Sequence, residues 1–229
     1  MTRKPSFALH ALAVAVALPT AVLVAQPVPG AFTVAETGRS YANLQDAVNA
    51  IGNSRAISAD VAGVRVIGGY FPNGQEPGSD KFEYKMEWLT ALRRWVKDEL
   101  AAHPNLVLMG DYNITFDEDD VWDPVNLEGT IHCTEEERYH LRALVALGLC
   151  DSYRLFPYPP KSFSWWDYRD AGFRRNRGMR IDHILVSQAL KPRVTGCVID
   201  KTPRKNERPS DHAPVVVQIN PAPAPESSE

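Results

Sequence analysis

Gly110-Asp-Tyr-Asn113 follows directly on the apolar run Asn105-Leu-Val-Leu-Met109, so Asp111 and Asn113 project from the end of a buried strand into a loop. A carboxylate and an amide fixed at a rigid strand end suit a group that must orient a water or a phosphate oxygen closely. The plainer reading is an Asp-Asn turn of the kind that commonly ends a strand. Ser210-Asp-His212 stands before the apolar segment Ala213–Ile219. Histidine there is either a proton-handling, phosphate-contacting group or one half of an ordinary Asp-His loop pair. Asp182 interrupts Ile181, Ile184, Leu185 and Val186. A carboxylate in such a strand is costly without a partner, and an imidazole whose tautomer it fixes is a natural one. His183 points to the opposite strand face, so His212 is the better partner and His183 reads as a satisfied surface histidine.

A second group of residues suits a polyanion. Ser164-Trp-Trp-Asp-Tyr-Arg169 is followed by Arg174, Arg175, Asn176, Arg177 and Arg180. Arginines beside aromatics can hold a phosphodiester backbone while a base or sugar stacks. A solvated loop over a tryptophan-rich core is the alternative. It is favoured by the overall balance, Lys+Arg 25 against Asp+Glu 28 and a net charge of −3, and disfavoured by the clustering.

The elements that must position these residues are legible. Ala56–Val61 and Val64–Ile67 read as strands around an Ala62-Gly63 turn, and residues 68–74 as a loop. Phe82, Met86, Leu89, Leu92, Trp95 and Val96 have helical spacing over 82–101, and Thr134-Glu-Glu-Glu137 resembles a capping box opening a helix over 135–147. Arg180–Val186 and Ala213–Ile219 are further strands. Strands in layers with flanking helices predict an α/β sandwich. The Pro/Ala/Ser/Glu-rich residues 220–229 predict a disordered tail.

With 229 residues and 44% hydrophobic content, the composition is that of a globular enzyme or binding domain, and excludes a globally basic nucleic-acid coat. Three scattered cysteines, Cys133, Cys150 and Cys197, exclude a disulfide scaffold or a zinc site. Charge is uneven, because residues 1–54 carry only Arg3, Lys4, Glu36, Arg39 and Asp46. Residues 1–25, a basic start and then an apolar run, have the pattern of a secretory signal peptide, the alternative being a buried or disordered apolar tail. Pro19, Pro27 and Pro29 argue against a membrane-spanning helix. Residues 26–54 form a distinct segment with a short helix over Tyr41–Ile51, resembling the start of secreted right-handed β-helix proteins.

From Arg55 onward the motifs resemble one family. Gly-Tyr-Phe-Pro-Asn-Gly (69–74), Gly-Asp-Tyr-Asn (110–113), Ser-Trp-Trp-Asp-Tyr-Arg (164–169), Asn-Arg-Gly-Met-Arg-Ile-Asp (176–182) and Ser-Asp-His-Ala-Pro-Val (210–215) stand in the order and spacing of exodeoxyribonuclease III. These are bacterial abasic-site endonucleases of the endonuclease/exonuclease/phosphatase superfamily. The resemblance spans about residues 55–218 and implies a four-layer α/β sandwich, partial here, over 55–219. It also implies a divalent metal, Mg²⁺ or Mn²⁺, and monomeric action on double-stranded DNA at abasic sites or 3′ ends. By that resemblance Asp111 orients or deprotonates the attacking water, and Asn113 holds it and the phosphate. His212 contacts the phosphate with Asp182 behind it, and Tyr70 reaches the phosphate or leaving group. Metal contacts are implied at Asp211, Asp111 and Asn113. DNA contacts are implied at Asn73, Arg169, Asn176, Arg177 and Arg180, with Trp165, Met179 and Ile181 walling a pocket for a base-less sugar.

The family also begins with an Asn-rich strand end and a Leu-Gln-Glu-Thr motif that supply metal-site residues, and neither stands in this sequence. Glu36, in Ala35-Glu-Thr37, shares two letters of the second motif without its spacing or strand context. Loss of those strands predicts an open sheet edge. Three functions therefore stand at this point: an Mg²⁺-dependent DNA phosphodiesterase, a non-catalytic remnant that binds DNA without holding metal, or a secreted protein defined by its N-terminal segment. The family and the unpaired cysteines point to the cytoplasm, and the apolar start points to export.

Overall fold

The computed structural model describes residues 56–221 together with three short strands upstream, Val16–Ala17 (β1), Phe32–Val34 (β2) and Arg39–Tyr41 (β3). The signal-like segment apart from Val16–Ala17, the helix expected over Tyr41–Ile51, and the tail beyond Pro221 lie outside the described residues.

Ala56–Val61 (β4) and Val64–Tyr70 (β5) form a hairpin, followed by the helix Asp80–Ala102 (α1) and the strand Leu106–Asp111 (β6). The helix Glu135–Ala146 (α2) leads into Leu149–Asp151 (β7). Trp165–Trp166 (β8) and Gly178–Met179 (β9) pair with each other, and Asp182–Ser187 (β10), Val194–Ile199 (β11) and Val215–Ile219 (β12) complete the chain. A seven-stranded sheet has the order β3-β2-β4-β5-β6-β10-β7, and a three-stranded sheet the order β1-β12-β11. The hairpin, both helices and the last two strands expected from the sequence are present. The segment expected as a loop from Gly68 is not, because β5 continues to Tyr70 in register with β6.

Alternation along the central strands sets the layers. Leu106, Leu108, Leu185 and Ile67 face α1 and α2, where they meet Leu89, Leu92, Val96, Leu141 and Leu144. Their neighbours Val107, Ile184 and Val186 face the other way, onto Val194, Cys197, Val215, Val217 and Ile219 of the second sheet. Period-two side chains thus bury both faces of one strand, and the result is an α/β sandwich with three layers among the described residues. Loss of N-terminal strands predicts an open sheet edge; at Ala56–Val61 the sheet continues, since Phe32–Val34 pairs with Ile57–Ala59 and carries β3 beyond it.

The helices start where the sequence says. Ser79 Oγ accepts the Phe82 amide at 3.2 Å, and Thr134 and Glu137 close a capping box. The stripe that α1 buries is Phe82, Lys85, Leu89, Leu92 and Val96, so a lysine occupies a core position that periodicity alone assigned to Met86.

Gly110 permits the close approach of β5 and β6. It has φ +152°, and a Cβ there would stand 1.8 Å from the Gly69 carbonyl oxygen. Only backbone movement relieves such a clash, so Gly110→Ala is expected to lower stability by about 3 kcal/mol or more, read by urea unfolding.

Candidate active site

One row across three strands carries the chemistry. β6 runs parallel to β5 and antiparallel to β10, which makes Tyr70 and Asp182 the ladder partners of Asp111 on either side. Ladder partners share a face, and alternation puts this row on the face turned toward the second sheet. The loop before β12 delivers His212 to the same place. His212 Nδ1–H donates to both Asp182 oxygens, at 2.9 and 3.1 Å, and Nε2 lies 4.0 Å from Asp111 Oδ2. The pairing of His212 with Asp182 expected from the sequence is therefore present.

Electrostatics separate the two ends of this group. Burial, then the charge of Asp182, raises the Asp111 carboxyl to about 7 against the pull of His212. Burial depresses the His212 imidazole, but the hydrogen bond and charge of Asp182, then Asp111 and Asp211, outweigh it and raise it to about 9. Near neutral pH His212 is thus a cation suited to a phosphate, and Asp111 is a base within reach of its working range.

Asn113 is locked to Asp111 rather than open to a ligand. Its backbone N–H donates to Asp111 Oδ1 at 2.9 Å and its Nδ2 to Asp111 Oδ2 at 3.0 Å. Its side-chain oxygen accepts from Asn73 Nδ2 at 3.1 Å, which places Asn73, otherwise exposed, at the site's edge. Asp211 holds the Trp165 indole N–H at 3.0 Å. Among the carboxylates and imidazoles of the described residues, the fold assembles one compact group, Asp111, Asp182 and His212, whose ligand atoms lie within 4.8 Å of one another; Asp211 is outside it, and Asn113 stands beside it on Asp111. The group's two carboxylates are oxygen donors of the kind a hard divalent cation takes.

The expected DNA-facing residues divide. Arg169 and Arg177 are exposed, the first paired with Asp167 and the second lying over Trp122 at 4.9 Å. Asn176 instead joins Trp166 Nε1 to the Lys161 carbonyl. Met179 and Ile181 are buried with Val121 and Cys133, with Trp165 and Leu127 partly exposed at the rim of that cluster. Arg180 is not available to DNA. It is 2% exposed, donates to both Asp120 oxygens at 2.7 and 3.0 Å, and pairs with Asp151 at 2.8 Å. His183 is satisfied as expected but is not on the surface. It lies buried on the helix-facing side, between the Ile114 carbonyl at 2.7 Å and the Arg180 guanidinium at 3.1 Å.

Several supporting residues escaped sequence reasoning. Ser164 Oγ accepts the amides of Ile181 and Asp182, both at 3.1 Å, fixing the start of β10. Lys85 Nζ, fully buried, pairs with Glu137 at 2.5 Å and donates to the Asn113 carbonyl at 2.8 Å. His132 Nδ1–H reaches the same carbonyl at 2.6 Å. The available signal was Lys85 at helical spacing between Phe82 and Leu89, a charge inside a core stripe.

The sequence model described as "Endonuclease/Exonuclease/phosphatase family" matches residues 13–212. The chain belongs to this family. The match begins within the apolar segment that composition set apart. Exodeoxyribonuclease III of Haemophilus influenzae is 38% identical over 161 residues, 66% of this chain and 59% of that protein. A 3′-5′ exonuclease from Neisseria meningitidis has 44% identity and a TM-score of 0.71, covering 73% of this chain and 65% of that one. An AP endonuclease from Archaeoglobus fulgidus has 32% identity and a TM-score of 0.68, covering 72% and 65%. The chain spans about three-fifths of the length of the curated relatives it matches.

Two outcomes follow for this member of the endonuclease/exonuclease/phosphatase family. Arg180→Ala leaves buried Asp120 and Asp151 with the partly exposed Arg154, at 3.0 and 3.5 Å, as their remaining cation and is expected to lower stability by about 3 kcal/mol, whereas Arg177→Ala changes it by about 0.5 kcal/mol or less. Burial, then the Lys85 charge, depresses His132 from 6.5 to about 4. The unfolded chain therefore binds the extra proton first, so this contribution is complete above pH 6.5 and is lost as pH falls toward 4. Thermal midpoints measured across that interval should fall less steeply in His132→Asn, which tolerates the positive φ at this position.

Proposed function

We propose that this chain is a divalent-metal-dependent DNA phosphodiesterase of the exodeoxyribonuclease III kind, acting on duplex DNA at 3′ ends and abasic sites. The observation that carries the reading is the Tyr70–Asp111–Asp182 row with His212 across it. Asp111 takes the proton of a water as its oxygen attacks phosphorus in line. His212, protonated and oriented by Asp182, meets the non-bridging phosphate charge that develops. Tyr70, half exposed at the end of β5, stands where a phosphate or leaving sugar oxygen would be reached. Asn113 keeps both Asp111 oxygens in a single orientation. Mg²⁺ or Mn²⁺, held by Asp111 and Asp182, would neutralise phosphate charge and stabilise the leaving oxygen. Asn73, Arg169, Arg177 and Trp165 supply an exposed polar and aromatic rim for the DNA strand.

The second reading is a DNA-binding remnant without catalysis. It is supported by the short donor set among the described residues, where one of the two carboxylates is already committed to His212. Among the described residues no helix is long and apolar enough to cross a membrane.

Labelled duplexes carrying one abasic site, a recessed 3′ end or a 3′-phosphate, each with Mg²⁺ or with EDTA, separate the readings. The nuclease reading expects metal-dependent product that falls by about 10²–10⁴-fold in Asp111→Asn and in His212→Ala. Folded protein that binds the duplex and yields no product with any substrate leaves only the remnant reading.

A further inference from the structure

The two loops that furnish Asn73 and Asn113 come from different strands, β5 and β6. Side-chain bonds link them, Asn73 Nδ2 to Asn113 Oδ1 and Asn113 Nδ2 to the Phe71 carbonyl, and one ammonium joins their two backbone carbonyls. Lys85 Nζ donates to the Asn73 carbonyl at 3.1 Å and to the Asn113 carbonyl at 2.8 Å, and its third contact is Glu137 Oε1 at 2.5 Å. Its three donors are therefore all used. Both side chains of the ion pair are fully buried.

Glu137 is held just as completely. Oε1 also accepts the His132 amide at 3.1 Å, and Oε2 accepts the Thr134 amide and hydroxyl at 3.1 and 2.7 Å. The first turn of α2 thus anchors the carboxylate, the carboxylate anchors Lys85 on α1, and Lys85 anchors the two asparagine loops. The fit is tight, since a Cβ on Gly74 would stand 2.9 Å from Lys85 Cδ. Asn113 has φ +52°, a left-handed conformation that its neighbours must hold. Through its backbone amide and Nδ2, Asn113 in turn sets both oxygens of Asp111.

We propose that Lys85 and Glu137 are positioning residues for the reaction: they act through the Asn73 and Asn113 carbonyls to fix the orientation of Asp111, and touch neither substrate nor metal. This rests on the reading of Asp111 as the group that activates water. A buried ion pair is a poor device for stability alone, since two neutral residues of similar shape generally replace one at little loss. Its place here is explained by the two carbonyls: an apolar replacement would take this donor from the Asn73 carbonyl and leave the Asn113 carbonyl held by His132 alone.

That difference gives the test. Lys85→Met/Glu137→Gln removes both charges, while the introduced glutamine side chain keeps an acceptor for the capping box. The double variant is expected to unfold below the wild-type temperature, but by less than Lys85→Met alone, which strands the Glu137 charge. In the double variant the Asn113 backbone amide should exchange with solvent about tenfold faster by NMR. On a duplex substrate with Mg²⁺, kcat should fall about 100-fold while KM moves by less than about threefold. A folded double variant with unchanged Asn113 protection, or with wild-type kcat, overturns the proposal. Asn113 exchange decides the matter even if wild-type protein cleaves nothing, so this inference and the nuclease reading fail separately. In wild-type protein the Lys85 ammonium protons must also be slow to exchange in ¹⁵N spectra. Fast exchange there overturns the proposal even where the double variant does not fold.

Discussion

Asp111 and Asp182 are ladder partners in neighbouring strands, buried on the same face, and their mutual repulsion is the constraint around which the rest of the site is built. Two carboxylates so placed cannot both be fully ionised in a dry environment without positive charge nearby. The fold answers with His212, brought by the loop before β12 and bound to Asp182 through both oxygens, and with the more distant Lys85 charge. Burial first, and the Asp182 charge second, still leave Asp111 raised, which is the physical basis for a base of moderate strength.

Such an arrangement holds only if the strands stay close and in register. Gly110 makes the close approach possible, and Ser164 pins the first residues of β10 by taking two successive amides. On the far side of the same strands, Arg180, Asp120, Asp151 and His183 form a second buried polar group, which Arg154 joins to Asp117 at the surface. The two groups use alternate residues of one segment: Asp182 belongs to the site and His183 to the scaffold. Period-two geometry therefore separates chemistry from support within adjacent positions.

The helices contribute more than a hydrophobic cover. Most of the stripe that α1 buries is apolar, and it encloses the sheet as amphipathic spacing dictates. Its one charged member passes through that layer to the asparagine loops, and is balanced by the residue that closes the α2 capping box. A local capping device and a long-range ion pair thus share one carboxylate. In this way the start of a helix is coupled to the orientation of side chains at a strand end.

Much of this was legible in the amino-acid order. Apolar runs gave β6 and β10, capping residues gave the helix starts, and the misfit of Asp182 inside an apolar strand pointed to an imidazole partner, for which His212 was better placed than His183. Those are local properties, decided by spacing and by the cost of burying a charge. The sequence did not show that Tyr70 lies within a strand, because nothing local distinguishes a loop from a strand end whose partners are about forty residues away. Nor did it separate Arg177, exposed, from Arg180, buried, since both stand in one basic cluster and only the positions of Asp120 and Asp151 in space decide which guanidinium is desolvated. Lys85 shows the same division. Periodicity assigned its core position to Met86, its partners come from three separate segments, and only tertiary packing could turn a buried charge from a liability into a fixed point.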